Sequence, residues 1–170
     1  MDARILTIDL QLVGVQGIVY ESPTHGRGNS LDSEEQALWD KLYARLDTIR
    51  YLSRPQRAIG YWHFVDSATR LFFAGAQVNS LEGFQWDYHY GLVSWAPGKV
   101  TFAAFPGSTD RESPAFLQAF QQVVRLGYAY DGRFVGEFEV CPLDWVRAGH
   151  TPADGAHEIW VPVKRVFDMS

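Results

Sequence analysis

Two glutamates occupy alternate positions in the stretch "GEFEVCP", residues 136–142, which otherwise reads as a strand. Side chains two apart on a strand share a face, so Phe138 and Val140 point one way and Glu137, Glu139 and Cys141 the other. A carboxylate on that second face is either solvated, or paired at a core edge, or the polar anchor of a binding site. Aromatic residues are the other chemistry in excess. They make up 15% of the chain, with six Trp and eight Tyr, and their polar atoms suit a wet apolar cavity or an interface as well as a Trp-rich core. A carboxylate among such rings loses hydration and is costly to keep charged. A lipophilic cation offsets that cost, and ring faces add cation–π attraction of roughly 0.5–2 kcal/mol each.

Other chemistries find less support. His25, His63, His89, His150 and His157 lack ligand spacing with one another or with Cys141, so neither a metal nor a cofactor is expected. No nucleophile elbow, P-loop or dinucleotide fingerprint is present, and no residue is assigned a catalytic role from motifs alone. The single cysteine, Cys141, excludes an internal disulfide framework and reads as a packing residue. No apolar run reaches membrane-spanning length, and the N-terminal stretch lacks the form of a secretory signal, so a cytoplasmic location is expected. Fifteen basic against twenty acidic residues give a net charge of -5 without a basic stripe, which argues against direct nucleic-acid binding.

The 170 residues suffice for one domain, 1–170, with a real core. "RILTIDLQLVGVQG" reads as a strand with a kink or bulge near Asp9 to Gln11. Asp32 or Ser33 can cap a helix through "EEQALWDKLYARLDTI", whose apolar face is Ala37, Leu38, Leu42, Leu46 and Ile49. "AIGYWHFV" and "RLFFAGAQV", joined by "DSAT", read as an antiparallel hairpin. After the "NSLEGFQWD" joint the pattern restarts. "YGLVSWAPGKVTFAAFPG" is strand-like, interrupted at Pro97-Gly98. "SPAFLQAFQQVVRLGYAY" is a helix with Ser113 as cap, Pro114 in the first turn and a stripe through Phe116, Leu117, Phe120, Val123 and Val124. "GEFEVCP", a long loop and "EIWVPVKR" complete the second half.

The class is therefore α+β: two strand-helix-strand-strand units, about 1–82 and 83–170, expected to pair and leave a cleft at their junction. Matching the halves sets Tyr61 opposite Glu139 and Trp39 opposite Phe120. Trp39 and Tyr43 lie one turn apart on the first helix. Glu158 and Trp160, two apart on the last strand, offer a second acid and ring. Trp86, Tyr88 and Tyr90 alternate beside the joint as a lid, rim or interface.

In the order and spacing of "LVGVQG", "LWDKLYARL", "IGYWHF" with "FFAGAQV", "APGKVTFAAFPG", "EFEVC" and "EIWVPVK", the chain resembles the GyrI-like small-molecule-binding family over nearly its whole length. That family includes effector-binding domains of AraC-type and MerR-type drug-sensing regulators and integron-associated drug-binding proteins. The resemblance implies a curved antiparallel sheet with two helices and a central cleft that holds amphipathic, often cationic aromatic compounds against a buried glutamate, matched here by Glu139. The expected ligand contacts are Glu139, Tyr61, Trp39, Phe120, Trp160 and Tyr90. The first strand starts within a few residues of position 1, so a stand-alone module is expected, acting alone or with a regulator or gyrase partner in trans. Two further activities follow from the resemblance: hydrolysis of cyclopropane-bearing toxins, with Glu139 as general base and Tyr61 as donor, and gyrase inhibition through an acidic surface. Where many relatives carry a glutamate in the hairpin strand, this chain has the neutral Gln77.

Overall fold

The computed structural model describes residues 3–20, 30–64, 66, 69–86, 91–106, 114–150 and 158–166. Its elements run β1 (Arg4–Tyr20), α1 (Ser30–Tyr43), β2 (Arg57–Phe64), β3 (Thr69–Gln77), β4 (Val93–Phe105), α2 (Pro114–Arg125), β5 (Tyr128–Tyr130), β6 (Phe138–Pro142), α3 (Leu143–Arg147) and β7 (Glu158–Arg165). This is the expected α+β repeat of strand, helix, strand and strand, with the added short elements β5 and α3.

All strand pairs are antiparallel, in the order β4-β1-β3-β2-β6-β7-β5, and β4 also pairs with β7. That extra pairing curls the sheet into a closed ring of β4, β1, β3, β2, β6 and β7. Val163 pairs with Thr101 of β4 and with Tyr130 of β5, so β5 occupies the edge of β7 that β6 leaves free. Closure removes exposed sheet edges and gives each strand an inner and an outer row of side chains.

The inner row is one core cluster of Leu10, Leu12, Ile59, Tyr61, Phe73, Val100, Phe102, Ala104, Phe138, Val140 and Trp160. The outer rows are covered by helices. Leu38, Trp39 and Leu42 of α1 pack on Val13, Val15, Val19, Phe72, Ala74 and Ala76. Phe116, Ala119 and Val123 of α2 pack on Ala103, Phe105, Ile159, Val161 and Val163. Each helix thus covers its own half of the ring.

Local signals explain the elements, with some corrections. Asp66 Oδ1 accepts from the Thr69 backbone N–H at 2.8 Å, and this side-chain turn closes the β2–β3 hairpin. The β1–β4 register shifts between Leu10 and Leu12, opposite Trp95 and Gly98. The irregularity at Pro97-Gly98 is therefore a bulge within a continuous β4 rather than a break, because the closed ring keeps both flanks paired. Helix α1 begins at Ser30, so Asp32 and Ser33 lie in its first turn instead of capping it. Ala37 is exposed while Leu38, Leu42, Leu46 and Ile49 are buried; the last two follow the helix in a short 3-10 turn and its exit. On α2, Leu117 and Val124 face solvent, narrowing the buried stripe to Phe116, Ala119 and Val123. Gly127, at φ 91°, ends that helix and frees Tyr128 to start β5. Ser113 lies outside the described residues.

Candidate functional site

Two places on this ring bring aromatic and polar groups together, and they lie on opposite faces of the same strands. The first is the outer seam between the areas covered by α1 and α2. Along it, Gly60 of β2, Glu139 of β6 and Ile159 of β7 are directly paired across the sheet. Directly paired residues share a face. The face is identified by Gly60, since a Cβ added there would lie 2.9 Å from Phe72 Cζ and 3.1 Å from Trp39 Cζ2. The Trp39 and Phe72 rings, edge to face at 5.9 Å, therefore slide in beside Glu139 because residue 60 has no side chain. Ile159, buried under α2, flanks Glu139 on the other side.

Glu139 itself is half-buried, and its Oε2 atom is buried. Its charge is felt by Cys141, two residues along on the same face. Burial, followed by the neighbouring Glu139 carboxylate, pushes the Cys141 thiol up to about 12. Trp39 is 1% exposed, and its indole N–H has no acceptor among the described residues.

The second place is the mouth of the ring, a cavity of about 360 Å³ lined by Gln16, Tyr61, His63, Leu71, Phe73, Trp86, Val93, Ser94, Trp95, Arg133 and Phe134. Phe138, fully buried, lies behind the lining, with Tyr61 stacked on it at 4.5 Å and Trp95 at 5.9 Å with only 10° between the ring planes. Phe134 stands edge-on to Tyr61, Trp95 and Phe138. The Tyr61 hydroxyl accepts from the Val135 backbone N–H at 3.0 Å. Burial raises the Tyr61 pKa, partly opposed by the Val135 and Gly136 backbone donors. At the rim, the Trp86 indole N–H donates to Ser94 Oγ at 3.2 Å.

Three of the six residues singled out from sequence fall in these regions, and three do not. Glu139 and Trp39 meet at the outer seam. Tyr61 and Trp160 belong to the inner core, Tyr61 reaching the mouth and Trp160 lying fully buried under the Arg57 guanidinium, 5.1 Å from its ring centroid. Phe120 packs under α2, stacked on Tyr130 at 4.6 Å. Tyr130 pairs with Val163, four residues along β7 from Ile159, so this stack stands roughly 13 Å down the strand from Glu139. Tyr90 and Tyr88 lie outside the described residues.

The pairing of Tyr61 with Glu139 needs correction. Tyr61 is opposite Phe138, and Glu139 is opposite Gly60. The alignment of the halves was one residue out of register, and one residue moves a side chain to the other face. Tyr61 is thereby removed as proton donor to any reaction at Glu139. Glu158, on the face of Trp160, pairs with Arg4 at 3.2 Å rather than reaching Glu139. Tyr43 is exposed although Trp39 is buried. Sequence reasoning missed Phe73, Trp95, His63, Arg133 and Phe134. A usable signal for Trp95 was its alternation with Val93, and for Arg133 the "YDGR" turn, where Asp131 Oδ1 accepts from the Arg133 backbone N–H at 3.1 Å.

No family model and no curated protein sequence matches the chain, whereas solved structures match its fold. The EcmrR C-terminal domain aligns over 97% of this chain and 98% of that one, at 15% identity and a TM-score of 0.58. EcmrR in its DNA complex, seen by cryo-electron microscopy in EcmrR-RPo, gives the same identity and TM-score, with this chain spanning 58% of that one. An uncharacterized conserved protein from Listeria innocua aligns over 96% of this chain and 93% of its own length, at 14% identity and a TM-score of 0.52. The chain shares the fold of the EcmrR C-terminal domain, in keeping with the fold expected from its sequence. Among the described residues no helix is long and apolar enough to cross a membrane, and no group of His, Cys, Asp or Glu could hold a metal ion.

Proposed function

We propose that the chain is a small-molecule-binding module whose ligand, an amphipathic aromatic cation, lies along the outer seam against Glu139. The observation that carries this reading is the position of Glu139, half-buried between the ring edges of α1's Trp39 and its partner Phe72 on one side and Ile159 of β7, which packs under α2, on the other. A carboxylate in such surroundings has lost part of its hydration, and a lipophilic cation restores the balance while its apolar parts cover the rings. Such a site asks little directional bonding of its ligand, which suits a broad receptor more than a selective one. The fold, shared with an effector-binding regulator domain, supports the same reading without naming the ligand.

Tetraphenylphosphonium and tetraphenylborate have nearly the same shape and opposite charge, so the pair isolates the electrostatic part of binding. Calorimetric titration of the full chain should show the cation preferred, and Glu139→Gln should weaken the cation about tenfold, about 1.4 kcal/mol, without weakening the anion. Equal affinity of wild type and Glu139→Gln for the cation would remove Glu139 from the site.

A further inference from the structure

We propose that the mouth of the ring is a second ligand site, separate from the outer seam and of opposite charge preference, which takes a planar aromatic anion. Three features point to it. The cavity wall is already a stack: Tyr61 and Trp95 lie against Phe138, and Phe134 stands across their edges. Trp95 is only half-buried, so a flat ring can continue the stack on its open face. The wall is also rigid, because the Val135 N–H holds the Tyr61 hydroxyl and Ser94 holds the Trp86 indole.

The polar groups around the opening are donors, and Arg133 has its carboxylate partner, Asp131, behind the lining. Among the described lining residues there is no Asp or Glu. Arg133 turns Nε and Nη2 toward Asp131 and gives a further bond to the Lys99 carbonyl, which leaves Nη1 without a protein acceptor. The exposed Gln16 amide and the half-buried His63 ring line the same cavity. A sulfonate or carboxylate on a flat ring system would meet those donors while its rings extend the stack. The outer seam presents the reverse arrangement, an acid beside rings. The two sites share no side chain, and the sheet itself separates them.

The test uses 2-naphthalenesulfonate and its uncharged analogue 2-naphthol in calorimetric titrations of the full chain. The sulfonate should bind at one site and at least fivefold tighter than the naphthol. Trp95→Ala should weaken it tenfold or more. Trp86→Ala, at a rim position 51% exposed where truncation does not open the core, should weaken it about threefold and covers the case in which Trp95→Ala loosens the ring. Arg133→Gln should abolish the preference for sulfonate over naphthol, and Arg133→Lys should keep it. Glu139→Gln should leave sulfonate affinity unchanged, and saturating tetraphenylphosphonium should not displace it. The proposal is overturned if Trp86→Ala and Trp95→Ala both bind as wild type, if naphthol binds as tightly as the sulfonate, or if Glu139→Gln and the sulfonate's loss go together. Because the Trp86, Trp95 and naphthol readings do not involve the outer seam, failure of one site leaves the other standing.

Discussion

Phe138 and Glu139 are neighbours in sequence and belong to different worlds. Phe138 is fully buried inside the ring, where Tyr61 and Trp95 stack on it, while Glu139 looks outward into the seam between two helices. The difference teaches that a period of two divides one strand between two chemistries. On β6 the inner side supplies apolar volume and the outer side a carboxylate, and the sheet keeps an acid away from a mouth rich in donors. The largest expected effect follows from the inner member. Phe138→Ala removes the ring contacted by Tyr61, Trp95, Phe102 and Phe134 and should destabilise the chain by about 3–5 kcal/mol in urea unfolding. Glu139→Gln, one position along, should change stability by less than about 1 kcal/mol, since it keeps the side chain's volume and removes a charge that burial disfavours. Similar losses for the two variants would contradict the division of roles.

Gly60 sharpens the comparison from the other side. A methyl group there meets both the Phe72 and Trp39 rings, and moving them aside should cost about 1–3 kcal/mol. Those rings wall the outer seam, so Gly60→Ala should weaken tetraphenylphosphonium and spare 2-naphthalenesulfonate. A loss of both ligands alike would mean that the two faces are not independent.

Much of this was legible in the sequence, for reasons that differ by level. The order of elements followed from local signals that act within a few residues: the three-to-four spacing of Leu38 and Leu42, Pro114 at a helix start, the "DSAT" turn. The faces within β6 followed from strand geometry alone. What the chain did not disclose is how strands far apart in sequence meet. The pairing of Thr101 through Phe105 with Val163 through Ile159 closes the ring, yet it joins segments some sixty residues apart that carry no local mark of one another. The same blindness placed Tyr61 against Glu139, because pattern matching between halves fixes a register only to within a residue, and the face depends on that residue. Trp95 and Phe134 escaped notice because each looks like ordinary core until closure stacks them around one opening.

Behind the mouth, bonded to its Arg133, lies the group whose protonation most directly controls that donor. Hydrogen bonds from Arg133 hold the Asp131 carboxyl below the usual carboxylate range, with burial opposing them. A lowered folded pKa means that this contribution to stability is complete above the ordinary carboxylate value and is lost as pH falls through the lowered one. Acidification should therefore free Arg133 and strengthen its hold on a sulfonate before the chain unfolds, and Asp131→Asn should flatten the acid limb of the stability curve. The outer seam moves oppositely, since protonating Glu139 removes its attraction for a cation. Titrations of the two probes between neutral and acid pH should diverge, and parallel curves would argue for one shared site.

The smallest effect belongs to Cys141, and it reports on the outer face alone. Its thiol is raised to about 12, first by burial and then by Glu139, so the folded chain keeps the proton through a range in which an unfolded thiol has lost it. A raised folded value means the contribution is complete below the ordinary thiol range and declines as pH rises from there toward the folded value. Urea unfolding should lose about 1 kcal/mol between neutral pH and pH 10 from this group, and Cys141→Ala should remove that part of the slope. Glu139→Gln should shift the onset only slightly, because burial is the larger cause. Trp95→Ala, on the inner side of the same sheet, should leave the slope as it is. If the mouth variant altered the alkaline slope as much as the seam variant, the sheet would be transmitting between its faces what its geometry keeps apart.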